Sequence, residues 1–588
     1  MELNWSLKEI YSSFKSDEFK NDLEQLDKII ENINKWVENV IICEKENFLC
    51  LEEYIIKFSD FENLLSKLNS FIELSLSVNT NDKEALKYSG ILEKKLTLVV
   101  AASTKIKNWI SEIKNLEDEI NKSEILKEHE FLLKEITQKS KYLLNDREET
   151  IISNMKNTGS KAWLKLKDSL ISNLKVEIEQ DNELKKVPLT VVLNMAYNDN
   201  KDVRKNGYEA EIKAYKKIEE SVAAALNGIK GEVITVAELR GYKDPLDMTL
   251  KNSRMDIDSL TAMLEAIKES LPYFRKYLKR KAEMLGYKNG LPFYEMYAPV
   301  SSATMKFTYE EATKFINKNF KTFSSNLAKF AQKAVDNSWI DVMPKDGKVG
   351  GAFCAGLHSL GESRILLNFG GNFGDVVTLA HELGHGFHGE CLKNESILNS
   401  EYPMPIAETA SSFCETIIKK AALKEATKEE ALTILETEIS DCCQVVVDIY
   451  SRFLFEKSVF DRRKESALTV AEIKELMIKA QNEAYGDGLD PNYLHPYMWT
   501  WKPHYYDADY NYYNFPYAFG LLFAKGLYSE YLRKGENFPI EYEKILSITG
   551  KNNISDITKV VGIDIHNKEF WKNSLKLVEA DIDEFLKY

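Results

Sequence analysis

Hydrophobic positions in the first 185 residues recur at intervals of three and four. Over residues 27–40, Ile29, Ile30, Ile33, Trp36, Val37 and Val40 fall at helical spacing. Over 161–178 the pattern returns with Trp163, Leu164, Leu166, Leu170, Ile171 and Leu174. Mixed charges between such positions, as at 114–122, are the marks of solvated helix faces. Pro188 is the first proline, and a boundary near it predicts a helical domain over 1–185 and a second domain over 186–588. Helical spacing resumes over 192–288, with breaks expected at Leu271-Pro272 and at Asn289-Gly290-Leu291-Pro292. The period then changes. Gly350-Gly351-Ala352-Phe353-Cys354-Ala355-Gly356-Leu357 is short and glycine-flanked, and Ser363-Arg364-Ile365-Leu366-Leu367-Asn368-Phe369 is rich in β-formers. The two predict a strand pair turning at Leu360-Gly361, followed by a helix from about Val376 capped by Asn372 or Asp375.

Composition sharpens that picture. Of 588 residues only 26 are Gly and 13 Pro, too few for a fold of many short strands. Glycine is also unevenly placed: two in the first 200 residues, eleven between Gly347 and Gly389. The net charge of −14 offers no basic face for phosphates, so nucleic acid is not an expected partner. No apolar stretch approaches a membrane span, and the first residues lack the pattern of a signal peptide. Seven cysteines, Cys442 and Cys443 adjacent among them, suggest no disulfide framework and no thiolate metal site, which favours a reducing cytoplasm.

Candidate chemistry lies in Thr378-Leu379-Ala380-His381-Glu382-Leu383-Gly384-His385-Gly386-Phe387-His388. His381 and His385 are four apart, so a helix projects both imidazoles from one face toward one metal ion. Glu382 can approach a zinc-bound water, take its proton and pass it to a leaving amine. Catalytic zinc keeps three protein ligands and one open position. A third histidine at the metzincin position is missing, because residues 388 and 391 are His388 and Cys391. A second helix is expected over Pro405-Ile406-Ala407-Glu408-Thr409-Ala410-Ser411-Ser412-Phe413-Cys414-Glu415, with Glu408 and Glu415, seven apart, on one apolar face, where a buried acid requires a partner. Glu408 is the expected third ligand, and Glu415 the acceptor for a ligand histidine's second N–H. His388 shares the histidine face one turn on; a supporting or packing role leaves the fourth metal position open. One zinc per chain is expected, although Mn or Co suits the same donors.

The run His381-Glu382-Leu383-Gly384-His385-Gly386-Phe387-His388, with Ile406-Ala407-Glu408-Thr409 and Glu415, resembles the M3 family of zinc metallopeptidases and, within it, the oligoendopeptidase F group. Gly351-Ala352-Phe353-Cys354, Ile365-Leu366-Leu367-Asn368-Phe369 and Tyr512-Tyr513-Asn514-Phe515-Pro516-Tyr517-Ala518-Phe519-Gly520 carry the likeness further. It implies a mainly α fold, a prolate multi-helix shell with a deep central channel and one small β-sheet beside the zinc helix. The zinc site falls within 350–420 and a substrate-side aromatic segment within 493–520. Short peptides are the implied substrates, cleaved internally. Trimming of peptide ends, or peptide binding without turnover, are the competing readings. The chain is expected to be a monomer or a small homo-oligomer.

Eight of 29 tyrosines fall between Tyr493 and Tyr517, more hydroxyls than a core easily satisfies. A Tyr O–H or a protonated His can stabilise the oxyanion of hydrolysis. The resemblance assigns that work to His504 and a neighbouring tyrosine, Tyr513 first, then Tyr510 and Tyr517. Strand 351–357, including Gly351, Ala352, Phe353 and Cys354, can present an open edge to a peptide backbone, provided that one edge is free.

Overall fold

Each long N-terminal helix is set by its apolar stripe, and two of the three start at a side chain that satisfies free N–H groups. In a computed structural model describing residues 2–41, 45–180, 183–301 and 303–588, α1 (Asp17–Val40) is capped by Ser16, which accepts from the Phe19 N–H. It buries Ile30, Ile33, Val37 and Val40, as the spacing predicts. Next come α2 (Asn47–Val78) and α3 (Lys83–Glu112), the second capped by Asp82.

The chain divides into two compact units, each assembled from three stretches. The first comprises Met1–Tyr142, Met305–Ala421 and Glu530–Gly562; the second comprises Leu143–Thr304, Ala422–Ser529 and Ile563–Tyr588. The boundary expected near residue 185 therefore falls inside the second unit. A backbone ladder crosses that position: Lys175–Gln180 pairs antiparallel with Glu183–Pro188, Lys175 opposite Pro188. The same hairpin corrects the helix expected over 161–178. That helix is Ser160–Asn173, and beyond it Val176 and Ile178 alternate inward with period two. Pro272 does not break the chain either. It lies inside the helix Ile257–Met284, whose buried Met263, Ile267, Leu271, Phe274 and Leu278 outweigh the cost of one interior proline.

In the first unit, one apolar core joins the N-terminal helices to the sheet. Phe19, Ile33, Leu51, Leu68 and Ile106 share a cluster with Leu357 and Leu366, and each such fully buried side chain contributes roughly 1.5–3 kcal/mol. Three strands form the sheet: β1 (Ile340–Asp341), β2 (Phe353–Leu357) and β3 (Glu362–Leu366), in the order β1-β3-β2. β2 and β3 are antiparallel and joined through a short turn ending at Gly361, whose φ of +59° favours glycine. The strand pair thus forms where the glycines predict it, with β2 starting at Phe353 rather than Gly351. Packed in the same unit are α4 (Tyr309–Phe323), α5 (Ser325–Asp336), α6 (Phe373–Leu392) and α7 (Thr409–Glu425), whose last turn runs into the second unit. The second unit has its own core, which includes Leu226, Ile229, Phe455, Trp499, Tyr505 and Tyr506. None of the six described cysteines is in a disulfide; Cys43 lies outside the described residues. Among the described residues, no helix is long and apolar enough to cross a membrane.

Candidate functional site

Helix α6 starts with reciprocal capping. Asn372 Oδ1 accepts from the Asp375 N–H at 3.1 Å, and Asp375 Oδ2 accepts from the Asn372 N–H at 3.0 Å. Its apolar stripe, Val376, Leu379, Ala380, Leu383 and Phe387, is buried, which fixes the rotation of the helix and aims His381 and His385 away from the core. Gly384, between them, allows a close approach. A Cβ there would lie 2.6–2.8 Å from backbone atoms of Ala410 and Ser411, so α7 can rest directly on the histidine helix.

That contact brings Glu408 to the histidines. The helix expected through Glu408 and Glu415 is interrupted: Met404–Ala407 ends at Glu408, and α7 starts at Thr409. His381 Nε2 and His385 Nε2 are 3.1 Å apart, and Glu408 Oε2 lies 3.3 Å from the first and 3.5 Å from the second. These edges outline one face of a tetrahedron whose centre is about 2 Å from each corner, the bond length of zinc to imidazole nitrogen and carboxylate oxygen. Two imidazoles and a carboxylate are also a fitting donor set for a divalent cation. They are the one group of three or more metal-ligating side chains found together among the described residues.

Neighbours hold the triad in register. Glu415 Oε1 accepts from His381 Nδ1 at 2.6 Å, leaving His381 Nε2 as the nitrogen that faces the other donors. Lys419 binds Glu415 Oε2 at 2.9 Å, Ser411 donates to Glu408 Oε2 at 2.8 Å, and the Ala407 backbone engages His385. Sequence reading found Glu415 but missed Lys419 and Ser411, although each lies one helical turn after an acid already singled out. His388 is fully buried, stacks on Tyr402 at 4.0 Å and meets Thr549 Oγ1 at 2.8 Å. It is packed apart from the triad.

Protons are held unequally at the triad: burial, then the charge of His381, lower the His385 pKa to about 4. Burial opposes a proton on His381, yet hydrogen bonds to Glu408 and Glu415 carry its pKa up to about 10. Burial works against charge on Glu408 as well, but His381 and His385 hold its carboxyl down at about 2. Glu382 is 5% exposed; burial, reinforced by Glu408 and Glu415, raises its pKa to about 7. Near neutrality it can therefore take up a proton and release it.

β2 is an edge strand, paired only with β3 in its sheet. Phe353 and Cys354 are half-buried on it, and Cys354 lies within electrostatic range of Glu382. Gly351 and Ala352 precede the strand, and the Gly351 carbonyl is taken by Asn368 Nδ2 at 2.8 Å.

In the second unit the aromatic segment sorts itself by burial. Tyr505, Tyr506 and Tyr512 belong to the interior, and Tyr506 donates to the Trp499 carbonyl at 3.0 Å. Tyr512 adopts φ +52°, and its N–H donates to Glu456 Oε1 at 3.1 Å. Just beyond that left-handed turn, Tyr513 stacks on His504, with ring centres 5.0 Å apart and planes 10° apart. Tyr517 lies 6.5 Å from His504. Tyr510 meets Tyr513 edge-on but is 63% exposed. Burial, then the charges of Arg452, Lys502 and Lys167, lower the His504 pKa to about 4. A protonated His504 was one expected oxyanion donor. At neutral pH the ring is instead neutral and offers an N–H rather than a charge.

Comparison with known proteins gives the family. The model of Peptidase family M3 matches residues 194–577, and that of Oligopeptidase F matches 111–175. Oligopeptidase PepF of Bacillus subtilis is 24% identical over 592 residues, covering 99% of this chain and 86% of the relative. The chromosomal oligoendopeptidase F of Lactococcus lactis subsp. cremoris is 26% identical over 394 residues, 66% of this chain and 64% of the relative. Crystal structures share the fold. One, from Chlamydophila abortus and provisionally described as a peptidase, has TM-score 0.87 at 21% identity and covers 99% of this chain and 98% of its own. Oligoendopeptidase F of Enterococcus faecium has TM-score 0.69 at 15% identity, with 97% and 98% covered. The chain belongs to peptidase family M3 and is a metallopeptidase.

Proposed function

We propose that the protein is a zinc-dependent endopeptidase that hydrolyses internal bonds of short peptides. The observation that carries this reading is the convergence of His381 Nε2, His385 Nε2 and Glu408 Oε2 beside a buried Glu382 in an M3 chain. His381, His385 and Glu408 would hold the ion, and Glu415 would orient His381. When bound, the cation supplies Lewis acidity that brings the pKa of water near neutrality. Glu382 then serves as general base, and once protonated as the acid that delivers a proton to the departing amine. His504 and Tyr513 are assigned to hydrogen-bonding the developing oxyanion, on the likeness of their segment to the family. The free edge of β2 suits backbone recognition, which tolerates varied side chains. Restriction to oligopeptides is supported by the names of the relatives.

The test is digestion of a peptide library, read by mass spectrometry with and without chelator, including peptides blocked at both ends. Chelator-sensitive internal cuts in blocked peptides are expected. Cuts confined to free ends would make the protein an exopeptidase, and binding without any cleavage would make it a peptide-binding relative.

A further inference from the structure

Around His504 the second unit gathers three cations, and one of them lacks a direct counter-ion. Lys167, Arg452 and Lys502 all act on the His504 ring. Two carboxylates lie in electrostatic range of Lys502, and both are engaged elsewhere. Asp448 Oδ2 holds Arg452 at 2.5 Å, and its Oδ1 accepts from the Tyr485 hydroxyl at 3.1 Å. Glu211 accepts from the Tyr215 hydroxyl at 2.9 Å and pairs with His495 at 3.2 Å. Lys167 has Asp168 at 3.2 Å and the Trp501 carbonyl at 3.3 Å. Lys502 alone of the three cations has no carboxylate within ion-pair distance among the described residues. Its ammonium sits 4.2 Å from the centre of the Trp501 ring, a contact that positions a cation but leaves its hydrogens free.

Lys502 is half-buried, as is His504 two residues on. A half-buried ammonium without a counter-ion is costly unless something supplies the missing negative charge. Burial, then the Arg452 charge, depresses its pKa to about 8, in line with that imbalance. The deficit lies on the segment assigned to the substrate, beside the stacked His504 and Tyr513 rings.

From this geometry we infer that Lys502 is a specificity-determining residue that binds a carboxylate of the peptide substrate next to the His504–Tyr513 pair. The carboxylate is the peptide's free C-terminus or an acidic side chain. An ion pair of this kind, partly shielded from water and braced by the indole of Trp501, discriminates carboxylate from amide by charge rather than by shape. The inference rests on the peptidase reading for its substrate class, and its test separates the two.

Four quenched fluorescent peptides of one sequence are compared on the metal-loaded enzyme. They have a C-terminal carboxylate or amide, combined with an internal Asp or Asn. Fluorescein-labelled versions of the same four report binding by polarisation, independently of turnover. Wild type is expected to favour one carboxylate source tenfold or more in kcat/KM, chiefly through KM. K502M collapses that ratio to about one, and K502R restores most of it. Preference for the C-terminal carboxylate identifies the chain end, and preference for Asp identifies a side chain. If no peptide is cut, the peptidase reading fails, and the polarisation ratios still decide the inference. A ratio near one in wild type overturns it. So does a ratio unchanged by K502M, or an equal loss on all four peptides with no rescue by K502R.

Discussion

The stretch 373–415 and the stretch 493–517 hold the two sets of candidate site residues, and they are built on opposite plans. In the first, every key side chain sits on a regular helix or at its boundary. Spacing of four projects His381 and His385 together, and capping, core stripe and Gly384 fix how the helix lies. In the second, short 3-10 turns and one residue in the left-handed region set the direction of each ring. Tyr512 and Tyr513 are adjacent, yet one is interior and the other half-buried on His504. A periodic element converts spacing into geometry, and an irregular one converts it only through its tertiary contacts. Perturbing the triad or its hydrogen-bond partners in the first region should therefore act through metal occupancy, whereas perturbing Glu382 or the second region should act on the rate with the metal retained.

The largest effect is expected from His381→Ala, His385→Ala or Glu408→Ala. Metal content should fall well below one per chain, and cleavage should drop beyond the roughly 100-fold that a ligand's hydrogen-bond partner commands. Elemental analysis beside a peptide assay checks this; full metal content in all three variants would remove the triad. Tyr513→Phe should lower kcat by roughly 10²–10³ with metal retained, the scale of one oxyanion donor. Tyr510→Phe, altering a 63% exposed ring, should stay within about twofold. Equal losses in both would mean that burial does not sort the tyrosines. Glu415→Ala removes the acceptor of His381 Nδ1 and should weaken metal binding by roughly 10–100-fold, measured by competition with a chromogenic chelator.

A smaller effect concerns pH. Burial, aided by the charge of His385, holds His388 down at about 3. Its folded pKa lies below its unfolded value near 6.5, so its contribution is fully present above pH 6.5 and is lost as pH falls. The loss is at most about 1.4 kcal/mol per pH unit, continuing toward about pH 3. Urea unfolding between pH 7.5 and 4.5 should show a steeper loss in wild type than in His388→Gln, by the uptake of about one proton. Parallel slopes would contradict a buried neutral His388.

These differences explain what could be read in advance. The helix carrying His381 and the strand pair before it follow from local periodicity and turn residues. Glu415 could be read as acceptor for a ligand histidine from its apolar surroundings, but that the histidine is His381 is set by a contact 34 residues away in the chain. Lys419 and Ser411 were equally local, one turn from Glu415 and Glu408, but polar residues at such spacing are common and nothing in the chain marked these two. The end of the 161–178 helix was hidden because Leu174, Val176 and Ile178 satisfy either period until a partner strand is known. The passage of a helix through Pro272 was hidden for a related reason: packing of Leu271 and Phe274 decides it, not propensity. The two interleaved units have no signature in composition, because long-range contacts define them.

The central claim is that Glu382 is the proton-transferring base beside a metal held by other residues. It is tested most directly by measuring, on one preparation of Glu382→Gln, the metal content and the rate of cleavage of an end-blocked peptide. The expected result is about one metal ion per chain with kcat/KM reduced by roughly 10²–10⁴, the worth of a positioned acid–base group. Near-normal turnover at full metal content would contradict it.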